Sequence, residues 1–235
     1  SNIPGTTRDS IDTFLKVNDQ EFVLVDTAGI RRKGKTKQVL DKFSVIMALK
    51  ALDRCDVAIL LLDAMEAVTD QDATIAGYAL DRGKGCIIIG NKWDLMHKNE
   101  ITFEEFEERV RFKLKFLEFA PIMTVSAKSG MRIDKILPKV KKVFDEYSRN
   151  ISTAPLNDCF EKAIQRNPMS SYRGKFLKMF YATQIKSKPP TFKCFLNFPE
   201  AIHFSYKRYL VNSIRKTFGL IGTPVRLILS GKKEP

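Results

Sequence analysis

The sequence predicts a three-layer α/β domain over residues 1–150, followed by a small, basic α+β domain over 151–235. Three observations carry that reading. Apolar runs that are continuous rather than alternating recur at Val57–Leu62, Cys86–Ile89 and Ile122–Val125, as in parallel strands covered on both faces. Amphipathic stretches lie between and around them, near 38–53, 69–82, 103–119 and 131–149, and such strand–helix alternation builds a parallel sheet with right-handed crossovers. Near residue 150 rhythm and charge both change. Residues 1–150 hold 25 basic and 23 acidic side chains, whereas residues 151–235 hold 15 and four, which is +11 of the chain's net +13.

The elements follow in order. Ser10 to Val17 alternates, Asn18-Asp19 is a turn signal, and Glu21 to Val25 is a second short strand. The pair reads as a hairpin. The helix near 38–53 leads into the strand at Val57, and helices and strands then alternate to residue 149. Ser148 to Pro155 is polar and carries a proline, the composition of a linker. Beyond it come a helix near 155–166, a strand near 175–185, a break at Lys188-Pro-Pro190, a strand near 191–198, a helix near 203–218 and a strand near 225–230.

Composition narrows the class. Hydrophobic residues make up 44% and charged residues 29% of 235 residues, a core-forming balance. The longest apolar run, Val57–Leu62, is far short of the ~20 residues that span a bilayer. The N-terminus lacks the charged and apolar regions of a signal peptide, so a cytoplasmic location is expected. The chain has no initiator Met and opens inside a motif, so it is expected to belong to a longer polypeptide. Cys55, Cys86, Cys159 and Cys194 fit neither a zinc spacing nor a dense disulfide framework. With only His97 and His203 to add, a structural zinc site is not expected.

Four motifs appear in sequence: Pro4-Gly-Thr-Thr-Arg-Asp9, Asp26-Thr-Ala-Gly29, Asn91-Lys-Trp-Asp94 and Ser126-Ala-Lys128. The last three fall at the carboxyl ends of strands, where open α/β sheets bind ligands. Each has a physical role in reading a guanine nucleotide. The Asp94 carboxylate matches the N1–H and 2-amino donors of guanine, and adenine offers no such pair. Asn91 is suited to hold the loop and reach the base, and the stem of Lys92 can lie along it. The Ala127 N–H can meet O6. Asp26 can hold Mg2+ through water, and the Gly29 amide can reach the γ-phosphate, a contact that forms only with a triphosphate. Each motif is weak alone. Their order, their strand context and the 65-residue gap from Asp26 to Asn91 make the combination specific.

Gly29-Ile-Arg-Arg-Lys-Gly-Lys-Thr36 spells the phosphate-loop pattern. It overlaps the Asp26–Gly29 turn and lies too close to Asn91, so it reads as a basic switch segment. The phosphate loop, with its preceding strand and following helix, is expected ahead of Ser1. The chain alone is therefore expected to be inactive.

These residues resemble the second GTPase domain and the C-terminal KH-like domain of the Der (EngA) family, bacterial GTPases with two tandem G domains. The resemblance also rests on Tyr181-Ala-Thr-Gln184, Pro189-Pro190, Ser205-Tyr206 and Gly222-Thr-Pro224. It implies a P-loop GTPase fold followed by a KH-like domain, hydrolysis of GTP, Mg2+ as cofactor, and a role in assembling the large (50S) ribosomal subunit. By that match Thr7 is the switch threonine on Mg2+. Asp26, Thr27, Ala28, Gly29 and Ile30 form the γ-phosphate segment. Asn91, Lys92, Trp93 and Asp94 read guanine, and Ser126, Ala127 and Lys128 close over the base. Ile30 stands where other GTPases place a water-orienting glutamine, and the family implies K+ beside the phosphates. No residue is assigned to catalysis. GTP and GDP, rRNA of the large subunit and an upstream GTPase domain are the implied partners, with no membrane.

For the basic domain, charge points to RNA, with Lys175, Lys178, Lys186, Lys188, Lys207, Arg208, Arg215 and Lys216 as contact candidates. Gly219-Leu-Ile-Gly222 spells the G-x-x-G of an RNA-clamping KH loop. It lies between a helix and the last strand rather than between two helices, and Gly219 reads better as a helix C-cap. Two alternatives stay open: an Era-type protein with one G domain and an RNA-binding KH domain, and a non-catalytic RNA-binding scaffold.

Overall fold

A computed structural model of the chain describes residues 12–25, 46, 48–66, 68–98 and 101–231. Strands β1 (Thr13–Val17) and β2 (Gln20–Leu24) form the expected antiparallel hairpin, with Val17 opposite Gln20. Asn18 and Asp19 turn it with φ of 48° and 58°, the primed geometry that matches strand twist. The helical residues 48–54 (α1) bury Ala48, Ala51 and Leu52.

The three continuous apolar runs are β3 (Val57–Asp63), β4 (Gly85–Asn91) and β5 (Ile122–Thr124), all parallel, in the order β3-β4-β5. Successive side chains of a strand point to opposite faces, and β4 serves two cores accordingly. Ile88 packs with Leu62, Phe106, Val110 and Leu114 on one side, while Ile87 and Ile89 pack with Val125 and Val143 on the other.

The helices are α2 (Asp70–Asp81), α3 (Phe103–Lys113) and α4 (Ile136–Tyr147). Thr69 with Asp72, and Thr102 with Glu105, form capping boxes at the first two. The helix expected over 103–119 ends at Lys113, because Leu114 leaves helical geometry and a 3-10 turn at Lys115–Leu117 follows. The helix expected from 131 likewise opens as a 3-10 turn, Ile133–Lys135.

The C-terminal part comprises α5 (Thr153–Arg166), a short hairpin of β6 (Ser171–Tyr172) and β7 (Lys175–Phe176), then β8 (Met179–Ser187), β9 (Pro190–Leu196), α6 (Phe204–Phe218) and β10 (Arg226–Gly231). The strand expected near 175–185 is thus two strands. The sheet order is β10-β9-β8, parallel then antiparallel. Leu156 and Phe160 of α5 and Leu210 and Ile214 of α6 share a core with Phe192, Cys194 and Leu227 of one sheet face. Asn157 accepts the Ala182 N–H at 2.8 Å and donates to the Ala182 carbonyl at 2.9 Å. Gln184 accepts the Ile151 N–H at 2.6 Å and donates to the Arg149 carbonyl at 2.9 Å, tying the linker to β8.

The two parts meet through the segment that spells G-x-x-G. Gly219 caps α6 with φ of 86°. The Gly222 N–H donates to the Phe119 carbonyl at 2.8 Å, and the Cys86 N–H donates to the Gly222 carbonyl at 2.7 Å. Leu220 and Thr223 are completely buried. Arg226 adds a bond to the Asp81 carbonyl at 2.8 Å. The segment is a docking loop for the N-terminal domain.

Candidate nucleotide-binding site

Parallel strands carry their carboxyl ends to one edge, and the register sets Asp63 beside Asn91 and Gly90 beside Thr124. Two segments leave that edge together. The first, after β4, turns at Lys92, whose φ is 64°. The Trp93 N–H donates to the Val125 carbonyl at 3.0 Å, joining it to the second. Gly90 lies against the Phe106 ring so closely that a Cβ there would come within 2.6 Å of it.

Side chains complete the link. The Ser126 hydroxyl donates to Asp94 Oδ1 at 2.6 Å and accepts the Ser129 N–H at 3.1 Å. Asn91 Oδ1 accepts the Ala127 N–H at 3.0 Å. Ser126 is fully buried, whereas Asn91 and Asp94 are half-buried and Lys92, Ala127 and Lys128 are exposed. Asp94 is thus held by one oxygen, and the other takes no donor among the described residues. A carboxylate fixed in this way can accept a pair of donors from a planar base.

Two of the residues expected to read the base already have protein partners in the structure. The Ala127 N–H, expected to meet guanine O6, is used by Asn91 in this structure. Trp93, grouped by sequence with the base-reading residues, has its ring buried edge-on against Phe103 and Phe106 at 6.5 and 5.6 Å. It anchors the loop from beneath.

One residue escaped the sequence reading. Asp63 ends β3, accepts the Met65 N–H at 3.0 Å and pairs with the Lys92 ammonium at 2.6 Å. That hydrogen bond, with the Coulombic attraction of the same carboxylate, raises the Lys92 pKa. Lys92 is therefore charged and tethered, with its stem laid across the edge between β3 and β4. The only sequence signal was an acid at the end of an apolar run.

Thr7, Asp26, Thr27, Ala28, Gly29 and Ile30 lie outside the described residues. Among the described residues no group of three or more His, Cys, Asp or Glu could hold a metal ion.

Comparison with known proteins now bears on this arrangement. Residues 1–92 match a family model described as a 50S ribosome-binding GTPase, and residues 150–229 match one described as the C-terminal KH-domain-like of EngA bacterial GTPase enzymes. A protein named GTPase Der from Desulforapulum autotrophicum is 52% identical over 232 residues, covering 99% of this chain and 47% of its own length. The chain belongs to the GTPase Der family. Its relatives named GTPase Der from Geotalea daltonii and Caldanaerobacter subterraneus are 46% and 48% identical, over 98% and 100% of this chain and 52% and 53% of their own lengths. The chain spans about half the length of the curated relatives it matches. Among solved structures, Aquifex aeolicus Era bound to GDP.AlF4- aligns at 20% identity over 100% of this chain and 84% of its own, with a TM-score of 0.49.

Within this Der-family chain the basic residues expected to meet RNA separate into two groups. Lys175, Lys178, Lys186, Lys207, Arg208 and Lys216 are exposed. Arg215 is turned inward: it donates to the Leu220 and Thr223 carbonyls at 2.9 and 2.6 Å and lies 4.6 Å from the Phe119 ring centre. Burial lowers its pKa to about 10, which leaves it charged at neutral pH. Lys188 pairs with Asp56 at 3.8 Å and lies 4.3 Å over the Phe144 ring. Both side chains link the C-terminal part to the N-terminal one, Arg215 from a largely buried position and Lys188 from an exposed one. No helix among the described residues is long and apolar enough to cross a membrane.

Proposed function

We propose that residues 1–150 are the second GTPase domain, and residues 151–235 the KH-like domain, of a longer cytoplasmic Der-type protein that binds and hydrolyses GTP and acts in assembly of the 50S ribosomal subunit. The observation that carries the reading is the cross-link between the two base-facing segments, Ser126 to Asp94 and Ala127 to Asn91. It leaves the second Asp94 oxygen without a donor among the described residues, and the carboxylate can meet the pair that guanine presents through N1–H and the 2-amino group. The tethered Lys92 stem supplies an apolar ledge for the base.

Among the described residues β3 pairs only with β4, and Ile59 and Leu61 are 40% and 59% exposed. A cavity of about 510 Å³ lies beside that edge, lined by Leu15, Phe22, Leu52, Ile59, Ile75 and Val140 among others. Both features support an additional strand here, the one leading to a phosphate loop upstream of Ser1. In this reading Thr7 binds Mg2+ directly and Asp26 through water. Mg2+ would neutralise charge on the phosphates, and K+ would add to that neutralisation in place of a side-chain contact that Ile30 cannot make. An additional upstream GTPase domain accounts for the length of the relatives. The exposed lysines and Arg208 meet rRNA through phosphates.

The test is Asp94→Asn in the full-length protein. The amide would still accept N1–H, but its NH₂ would face the 2-amino group of guanine and would instead suit the 2-oxo group of xanthine. GTP affinity should fall about 10- to 100-fold, the loss of a charge-assisted hydrogen bond, while XTP binding improves. Titrations with both nucleotides decide it, and an unchanged preference for GTP would overturn the assignment.

A further inference from the structure

The C-terminal sheet has two faces, and α5 and α6 cover one of them. Strand register builds the other in rows. Tyr181, Phe195 and Ser230 lie across one row, and Thr183, Lys193 and Ile228 across the next. A third row, with Thr191 and Arg226, meets the N-terminal domain through the Arg226 bond to Asp81. The two outer rows stay open. Tyr181 is 45% and Ile228 44% exposed. The Tyr181 and Phe195 rings stack with centres 4.4 Å apart and planes 20° apart, and the Lys193 ammonium lies 5.0 Å from the Phe195 ring centre. No acidic residue stands on β8, β9 or β10.

A stacked aromatic pair on an open sheet, beside a lysine and without an acid, has the chemistry of a platform for nucleobases. Every base offers a π face, so aromatic stacking tolerates sequence, and lysines nearby meet the backbone. We propose that this face binds single-stranded RNA, with bases stacking on Tyr181 and Phe195 and Lys193 contacting phosphate. The inference rests on the RNA reading above and adds a mode of contact to it. Stacked bases inside a duplex cannot reach the platform, so the platform selects unpaired RNA, whereas phosphate contacts from Lys207 and Arg208 do not.

Fluorescence-anisotropy titrations of the 235-residue chain, with a labelled oligouridylate of about ten nucleotides and a duplex RNA of equal length, test it. Tyr181→Ala should weaken single-strand binding about 5- to 100-fold, leave duplex binding unchanged, and leave the slope of log affinity against log salt unchanged. Tyr181→Phe should retain wild-type binding. Phe195 is partly buried, so Phe195→Ala is read only if its melting curve matches wild type, and Tyr181 carries the test otherwise. If Tyr181→Ala binds both RNAs like wild type while charge reversal at Lys207 and Arg208 abolishes binding, the platform is wrong and the electrostatic RNA reading stands. If the wild-type chain binds neither RNA at low salt, the RNA reading fails and the platform with it.

Discussion

Gly222→Ala should destabilise the chain by about 2–5 kcal/mol and weaken the junction between its two domains. The magnitude comes from two independent strains. Gly222 has φ of +75°, and a Cβ there would lie 2.5 Å from Val143 Cγ2, 2.8 Å from Cγ1 and 3.2 Å from Cβ. A left-handed backbone costs an L-residue roughly 1–2 kcal/mol, and forcing a methyl into a packed core typically costs about 1–3 kcal/mol. Val143 is 1% exposed and packs with Ile87, Ile89 and Val125, so it has no room to withdraw. Moving the loop instead would break the Gly222 bonds to Phe119 and Cys86, each worth about 1 kcal/mol.

Urea unfolding followed by two probes measures both effects. Trp93, the only tryptophan, reports on the N-terminal domain, and far-UV circular dichroism reports on both. Gly130→Ala is the control, since Gly130 has φ of +78° with nothing within 4 Å of its Cβ position, and it carries the backbone strain alone. Val143→Ala in the Gly222→Ala background removes the clashing methyls, so the double-mutant cycle should show a favourable coupling of at least about 1 kcal/mol. Equal costs for Gly222→Ala and Gly130→Ala, or strict additivity with Val143→Ala, would refute the argument.

Two further outcomes are expected. Ser126→Ala removes the donor to Asp94 and the acceptor for the Ser129 N–H, and should lower the stability of this chain by about 1–3 kcal/mol, read from the urea midpoint at constant slope. A larger slope change would mean that the segment had unfolded locally rather than given up a single bond. Lys207→Glu with Arg208→Glu, both on the exposed side of α6, should lessen the slope of log RNA affinity against log salt by about 0.7–0.9 for each phosphate no longer neutralised; an unchanged slope would place the phosphate-binding cations elsewhere.

What the sequence could and could not reveal follows from the range of the forces involved. β4 was legible because burial on both faces demands an unbroken apolar run, and the N-terminal hairpin because alternating residues flank a turn signal, with Leu15 and Phe22 the partly covered side chains. Helix ends were less so. Leu114 and Leu117 are 0% and 1% exposed, so the apolar spacing continues past Lys113 although the backbone has tightened into a 3-10 turn. The β6–β7 hairpin escaped because two-residue strands have no period. Its turn rests on Arg173 and Gly174 with φ of 50° and 73°. In the site, Asn91, Asp94, Ser126 and Ala127 were recognisable from short motifs at strand ends. Asp63 was not, since only the parallel register of β3 with β4 brings it to Lys92.

The basic domain shows the same limit for charge. A cation count treats Arg215 and Lys207 alike, yet one is a structural staple and the other is exposed to solvent. What separates them is the docking loop. The left-handed turns at Gly219 and Gly222 aim the Leu220 and Thr223 carbonyls at Arg215 and press Gly222 onto Val143. Those two glycines are the letters that suggested an RNA clamp. An RNA clamp uses glycines so that a phosphate backbone can approach closely; this loop uses them so that β4 and the Phe119 carbonyl can. The G-x-x-G pattern records only that something comes near the backbone. Because the near neighbour is the N-terminal domain, the glycines of this loop need no RNA to account for them, and the RNA surface proposed above falls instead on the uncovered rows of the sheet, where aromatic rings and lysine stand together.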